Sequence, residues 1–121
     1  MNENKRDFNT LVRAVRQFRD EREWAQFHNP KDLAMSVSIE AAELLEHFQW
    51  KDTDQVRALV EDPQARAEMA TEMADVLLLL ISLGEATGVD LLDSAFAKLE
   101  QNAAKYSIEK ARGRADKYDQ L

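Results

Sequence analysis

Two pairs of acids stand out in this chain: Glu40 and Glu43 in I-E-A-A-E, and Glu72 and Asp75 in E-M-A-D-V. Both pairs have i, i+3 spacing within apolar, helix-forming stretches, so each helix should carry two neighbouring carboxylates roughly 5–6 Å apart at Cβ. Crowded carboxylates repel, by as much as ~4 kcal/mol per close pair at an effective dielectric near 20. Four of them meeting in a helix bundle call for a cation, and an all-oxygen donor set suits Mg²⁺ or Mn²⁺. The bland alternative is four ordinary solvent-facing acids, the usual reading of a lone E-x-x-E. Against it, Asp75 directly precedes V-L-L-L-L, and Glu72 stands between Met69, Met73 and Val76. Unpaired charge in such surroundings is costly, and neither Glu40 nor Asp75 has a basic residue within four positions. A di-iron carboxylate bundle would need Glu-x-x-His on two helices. Three residues before His28 and His47 stand Ala25 and Leu44, so that motif is missing.

The elements that must position these acids are helical. Only three glycines and two prolines punctuate the chain, and no window alternates for long in the manner of a strand, so the expected fold is all-α, a four-to-five-helix bundle. The first helix is predicted from about Asp7 to Arg22, with Phe8, Leu11, Val12, Val15 and Phe18 as its apolar stripe. Asn29-Pro30 is a cap followed by a helix-starting proline, and the second helix should run to about Phe48. Leu33, Val37, Leu44 and Phe48 face one way there, with Met35, Ile39 and Ala42 widening the stripe. A short helix over about Thr53–Val60 leads to a second cap-and-proline start at Asp62-Pro63. The helix that follows, to about Ala86, is the most apolar and should lie at the centre. Asp90 caps the last long helix, which runs to about Tyr106 with Leu92, Phe96, Leu99 and Ala103 turned inward.

The 121 residues suit one domain over residues 1–108, with a polar tail over 109–121. A net charge of −7 argues against binding nucleic-acid polymers, although a divalent ion can bridge an acidic protein to a phosphate ligand. With no cysteine, disulfides and thiolate metal sites are excluded. M-N-E-N-K-R-D lacks the apolar core of a signal peptide. The longest apolar run, Val76 to Leu83 broken only by Ser82, is far short of the ~20 residues of a membrane span. A cytoplasmic protein with no membrane partner is the expectation.

Further motifs frame the acids: R-E-W-A-Q-F-H-N-P-K-D-L from Arg22 to Leu33, E-A-A-E-L-L-E-H-F-Q-W from Glu40 to Trp50, N-A-A-K-Y from Asn102 to Tyr106, and A-R-G-R-A-D-K-Y from Ala111 to Tyr118. With Glu40-x-x-Glu43 and Glu72-x-x-Asp75 separated by 28 residues, the chain resembles the MazG-like all-α nucleoside triphosphate pyrophosphohydrolases, in particular the dCTP pyrophosphatase-like branch. The resemblance covers nearly the whole chain. It implies hydrolysis of a (deoxy)nucleoside triphosphate, dCTP or a modified or related dNTP, to the monophosphate and pyrophosphate, with removal of unwanted nucleotides as the purpose. It also implies a homotetramer, a dimer of dimers, with sites at subunit interfaces. The alternative from another class is a non-catalytic helical interaction or regulatory module, for which the acids would be dispensable.

On this reading Glu40, Glu43, Glu72 and Asp75 are the Mg²⁺ ligands and the catalytic acids, with Glu43 chosen as the group that orients or deprotonates the attacking water. Asn102, Lys105 and Tyr106 match the family's nucleotide-contacting motif. Lys98 lies on the same stripe but reads as solvated, and Arg112 and Lys117 are tail cations within reach of a neighbouring subunit's substrate. Nucleobases stack on aromatic rings for roughly 1–3 kcal/mol each, which makes Trp24, His28 and Trp50 the base-pocket candidates, with Phe27 left to the core. Two positions depart from the branch: Val15 where a histidine is expected, and Leu79 where a tyrosine is expected. Losing polar groups that read the base edge should loosen selectivity. Ser107 stands where the family's K-Y-P motif has proline.

Overall fold

The computed structural model describes residues 5–120, the side chain of Tyr118 excepted. The residues before Lys5, which bear on the leader reading, lie outside the described set. Six α-helices occur among the described residues, and no strand. They are α1 (Phe8–Glu21), α2 (Pro30–Glu46), α3 (Thr53–Glu61), α4 (Pro63–Thr87), α5 (Leu91–Lys105) and α6 (Ile108–Ala111), with 3₁₀ turns at Ala25–Phe27 and Tyr118–Gln120. No described helix is long and apolar enough to cross a membrane. The chain divides into two compact units, Met1–Gly88 and Val89–Leu121.

The helix starts follow from side-chain oxygens that accept orphan backbone N–H groups. Asp7 caps α1 through Thr10, Asn29 caps α2 through Asp32, and Asp90 caps α5 through Asp93. Asp52 and Gln55 form a reciprocal capping box at the start of α3. Asp62 ends α3 and its carboxylate caps α4 through Ala65 N–H. Proline follows Asn29 and Asp62 as the first helical residue. Gly88, at φ 72°, closes α4 in the left-handed conformation that costs glycine least.

Within the first unit, α4 is central and packs on α1, α2 and α3, most extensively on α2. Leu33, Val37, Glu40, Leu44 and His47 form the inward stripe of α2, with Leu33 buried and the others half-buried. Ala65 and Met69 are buried on α4, and Glu72, Val76 and Leu79 continue their row half-buried. Both rows step by four and three residues, the spacing that keeps one helix edge against a neighbour. The acids Glu40 and Glu72 therefore occupy seam positions.

Three expectations about packing need correction. Met35 and Ile39 are 53% and 57% exposed and Ala42 is also exposed. They lie off the row of Leu33, Val37, Glu40, Leu44 and His47, and form a separate outward face instead of widening the buried stripe. Phe27 is 66% exposed, because Trp24 and His28 take the inward positions of that turn. In the second unit, Phe96 and Leu99 are about as exposed as Phe27 and Ala103 is exposed too. Beside α5 that unit has only a single-turn helix and a 3₁₀ turn, too little to bury a stripe of this length.

Candidate functional site

The turn after α1 places the aromatic candidates. Trp24 N–H donates to Arg19 C=O and Glu23 N–H to Asp20 C=O, the paired bonds of a Schellman ending. Glu23 occupies the left-handed position at φ 52°, where glycine would be unstrained. The turn brings Trp24 back onto Phe18, ring centroids 5.8 Å apart and nearly perpendicular, while the Arg22 guanidinium sits 3.6 Å from the Phe18 centroid. His28 follows, its ring 6.5 Å from that of Trp24. His28 Nδ1 is buried with no hydrogen-bond partner.

Trp24 and His28 line a cleft of roughly 500 Å³ within the first unit, inside the size range of small-molecule sites. One wall is α1, through Leu11, Val15, Phe18 and Arg19; the other is α4, through Asp75, Leu78, Leu79 and Ser82. Glu40 of α2 reaches the same cleft. The two branch-departing residues, Val15 and Leu79, are thus both cleft-lining and apolar. Arg19, which drew no attention in the sequence, also lines it, its guanidinium tied to Asp20 at 2.8 Å. A cationic residue one turn before a candidate tryptophan was the available signal.

Glu40 feels the other three acids. Glu40's carboxyl is held above its usual range, first because Glu43 hydrogen-bonds to it, then because partial burial disfavours charge, then through the fields of Glu43, Asp75 and Glu72. One of their oxygens is already engaged: Glu72 Oε2 meets His47 Nε2. Among the described residues no three His, Asp or Glu side chains stand gathered as a metal-binding group. The quartet suits a hard divalent cation in donor chemistry and in mutual repulsion, and a closed set of ligand distances is not formed. Glu40 and Glu72 are half-buried, Glu43 and Asp75 exposed.

His47 was missed as a neighbour of the acids, although Glu40, Glu43 and His47 follow i, i+3, i+7 and must share one helix face. Trp50 stands 86% exposed in the turn after α2, outside the cleft. In the second unit, Asn102 is half-buried on α5, Lys105 is its last residue and Tyr106 its C-cap. Lys98 is exposed on α5, as the solvated reading expects, and Arg112 and Lys117 are exposed beyond α6.

Known proteins are similar to this chain in sequence and in fold. Residues 35–121 match the MazG-like family. The chain is 36% identical over 105 residues to dCTP pyrophosphatase 1 of Mus musculus and 35% to that of Homo sapiens, alignments that cover 87% of this chain. It spans 62% of the length of these curated relatives. The crystal structure of a pyrophosphatase from Archaeoglobus fulgidus is similar with a TM-score of 0.77 and 36% identity, over 88% of this chain and 98% of that one. The match over residues 35–121 and the shared all-helical fold agree, and the chain belongs to the MazG-like family.

Proposed function

We propose that the protein is a cytoplasmic, Mg²⁺-dependent nucleoside triphosphate pyrophosphohydrolase that converts dCTP or a related or modified dNTP to the monophosphate and pyrophosphate. The observation that carries this reading is the meeting of Glu40 and Asp75 with Trp24 and His28 around one cleft. Relatives named dCTP pyrophosphatase 1 support the substrate class. Mn²⁺ would fill the same donor set.

In this reading Trp24 and His28 hold the base against the apolar wall, by stacking that tolerates different bases. Glu40, Glu43, Glu72 and Asp75 hold the metal. Bound there, it supplies neutralisation of phosphoryl charge and a lower pKa for water. Glu43 takes the proton of the attacking water. Asn102, Lys105 and Tyr106 contact the polyphosphate, a role carried over from the family motif. The exposed faces of α2 and α4, Met35 and Ile39 with Met73 and Leu77, are the kind of surface that a homotetramer buries. Trp50 then meets the base only if a second copy brings it there. Val15 and Leu79 leave few polar groups to read the base edge, so several dNTPs should be accepted.

The test is product analysis across canonical and modified dNTPs with Mg²⁺, separating pyrophosphate from orthophosphate. Release of orthophosphate in place of pyrophosphate would end the proposal, and no turnover of any nucleotide would end it in favour of the non-catalytic alternative. Strict use of a single nucleotide would contradict the loose selectivity. In thermal unfolding, Mg²⁺ with a nucleotide at ~100 times its Kd should stabilise by ~2.7 kcal/mol.

A further inference from the structure

His47 lies where the sequence marked no function. It is the C-cap of α2, its backbone N–H donating to the carbonyl of Leu44. Its side chain is about one-fifth exposed, and the Phe48 ring leans against it with centroids 6.3 Å apart. Held in this way, the imidazole crosses the seam so that Nε2 meets Glu72 Oε2. Among the described residues no other non-acidic side chain is hydrogen-bonded to any of the four acids.

We propose that His47 is a positioning residue that fixes Glu72 for metal binding. The inference rests on the reading of Glu72 as a metal ligand given above. A glutamate on a helix has three rotatable side-chain torsions, and its carboxylate plane is the last to be set. Since a carboxylate only accepts, Nε2 must carry the proton of this contact. With Oε2 held by Nε2–H, the plane is fixed and Oε1 is the oxygen left for the ion. Ligating carboxylates depend on such outer partners, whose loss typically costs 10–100-fold in metal affinity. The location supports the same role. Glu40, Glu43 and His47 share one face of α2, so the helix that supplies two of the acids also orients a third on α4. A histidine serving only to fill space would not need its ring nitrogen on the acid.

The test compares His47→Gln, His47→Asn and His47→Ala. A glutamine amide nitrogen can occupy the place of Nε2, whereas an asparagine amide reaches only as far as Nδ1. Mn²⁺ binding to the metal-free, nucleotide-free protein is read by electron paramagnetic resonance titration, with Tm measured beside it. The expected result is a 10–100-fold weaker Mn²⁺ affinity for His47→Asn and His47→Ala, and recovery to within about threefold for His47→Gln. Unchanged affinity in His47→Ala, or equal losses in His47→Gln and His47→Asn, overturns the proposal. Should His47→Ala fail to fold, the two amide variants alone decide. Glu72→Gln separates the two levels: if it keeps full Mn²⁺ affinity the ligand reading fails and takes this proposal with it. If it loses affinity while His47→Asn does not, only the positioning role fails.

Discussion

The two halves of α4 treat the same chemistry in opposite ways. Near its middle, Glu72 and Asp75 are set against Glu40 and Glu43, and Glu40's carboxyl is driven up by its neighbours. Three turns further on, Glu85 meets Arg16 of α1 in a two-pronged ion pair, with distances of 2.8 and 2.9 Å. Its carboxyl is held down by that hydrogen bond and by the guanidinium charge, against the opposing effect of burial. Where α4 only has to stay attached to α1, its acid is answered by a base. Where four acids crowd with no lysine or arginine among them and a single imidazole, His47, on one of them, the arrangement works against the fold, and such sites are candidates for function.

The largest effect that would break this contrast is on catalysis. Glu43→Gln and Asp75→Asn should each lower turnover of the best dNTP by roughly 10²–10⁴-fold, with unchanged helical circular dichroism; near-normal rates in both would remove the functional half of the comparison. Glu85→Gln should do the reverse, lowering Tm by several degrees while turnover per folded molecule stays close to the parent's.

The pH dependence sharpens the contrast. Glu85's lowered value means its stabilisation is fully present above the ordinary carboxylate range, about pH 4–5, and is lost as pH falls through its folded value. The Tm gap between parent and Glu85→Gln should therefore close on acidification. Glu40's raised value works the other way: the parent loses stability as pH rises through that value, so metal-free Glu40→Gln should overtake it in Tm toward neutrality. Parallel curves for the two variants would show that the acids near Glu40 do not repel. The smallest effect concerns the turn. Glu23→Gly should raise stability by up to ~1 kcal/mol in denaturant titration, since a left-handed L residue costs about that much. It should leave KM nearly unchanged if Trp24 keeps its place.

Much of this was legible in advance because local rules govern it. Asn29-Pro30, Asp62-Pro63 and Asp90 announced three helix starts, since an N-cap needs only one side chain and the next turn. The i, i+3 acids were visible for the same reason. What the sequence hid depends on partners far along the chain: His47 reaching Glu72 and Arg16 reaching Glu85 need the packing of α2 and α1 on α4. Helical period likewise could not separate the buried Leu33 from the exposed Met35 and Ile39, because it shows that a residue is apolar and not whether anything covers it. The place of Trp24 on Phe18 required the Schellman turn at Glu23, for which the expected glycine is missing.

Asp62 has one more consequence. It is both the end of α3 and the cap of α4, and Arg66 ties back across it to the Val60 carbonyl at 2.9 Å. Glu72 lies ten residues beyond this joint, about 15 Å along the axis. The helix thus acts as a ruler with its zero mark at Asp62, and a single inserted residue between the two would swing Glu72 by some 100° off the seam. Length variation in the interval between the two acid pairs can be absorbed only before Asp62, in the turn that follows His47 or in α3 itself.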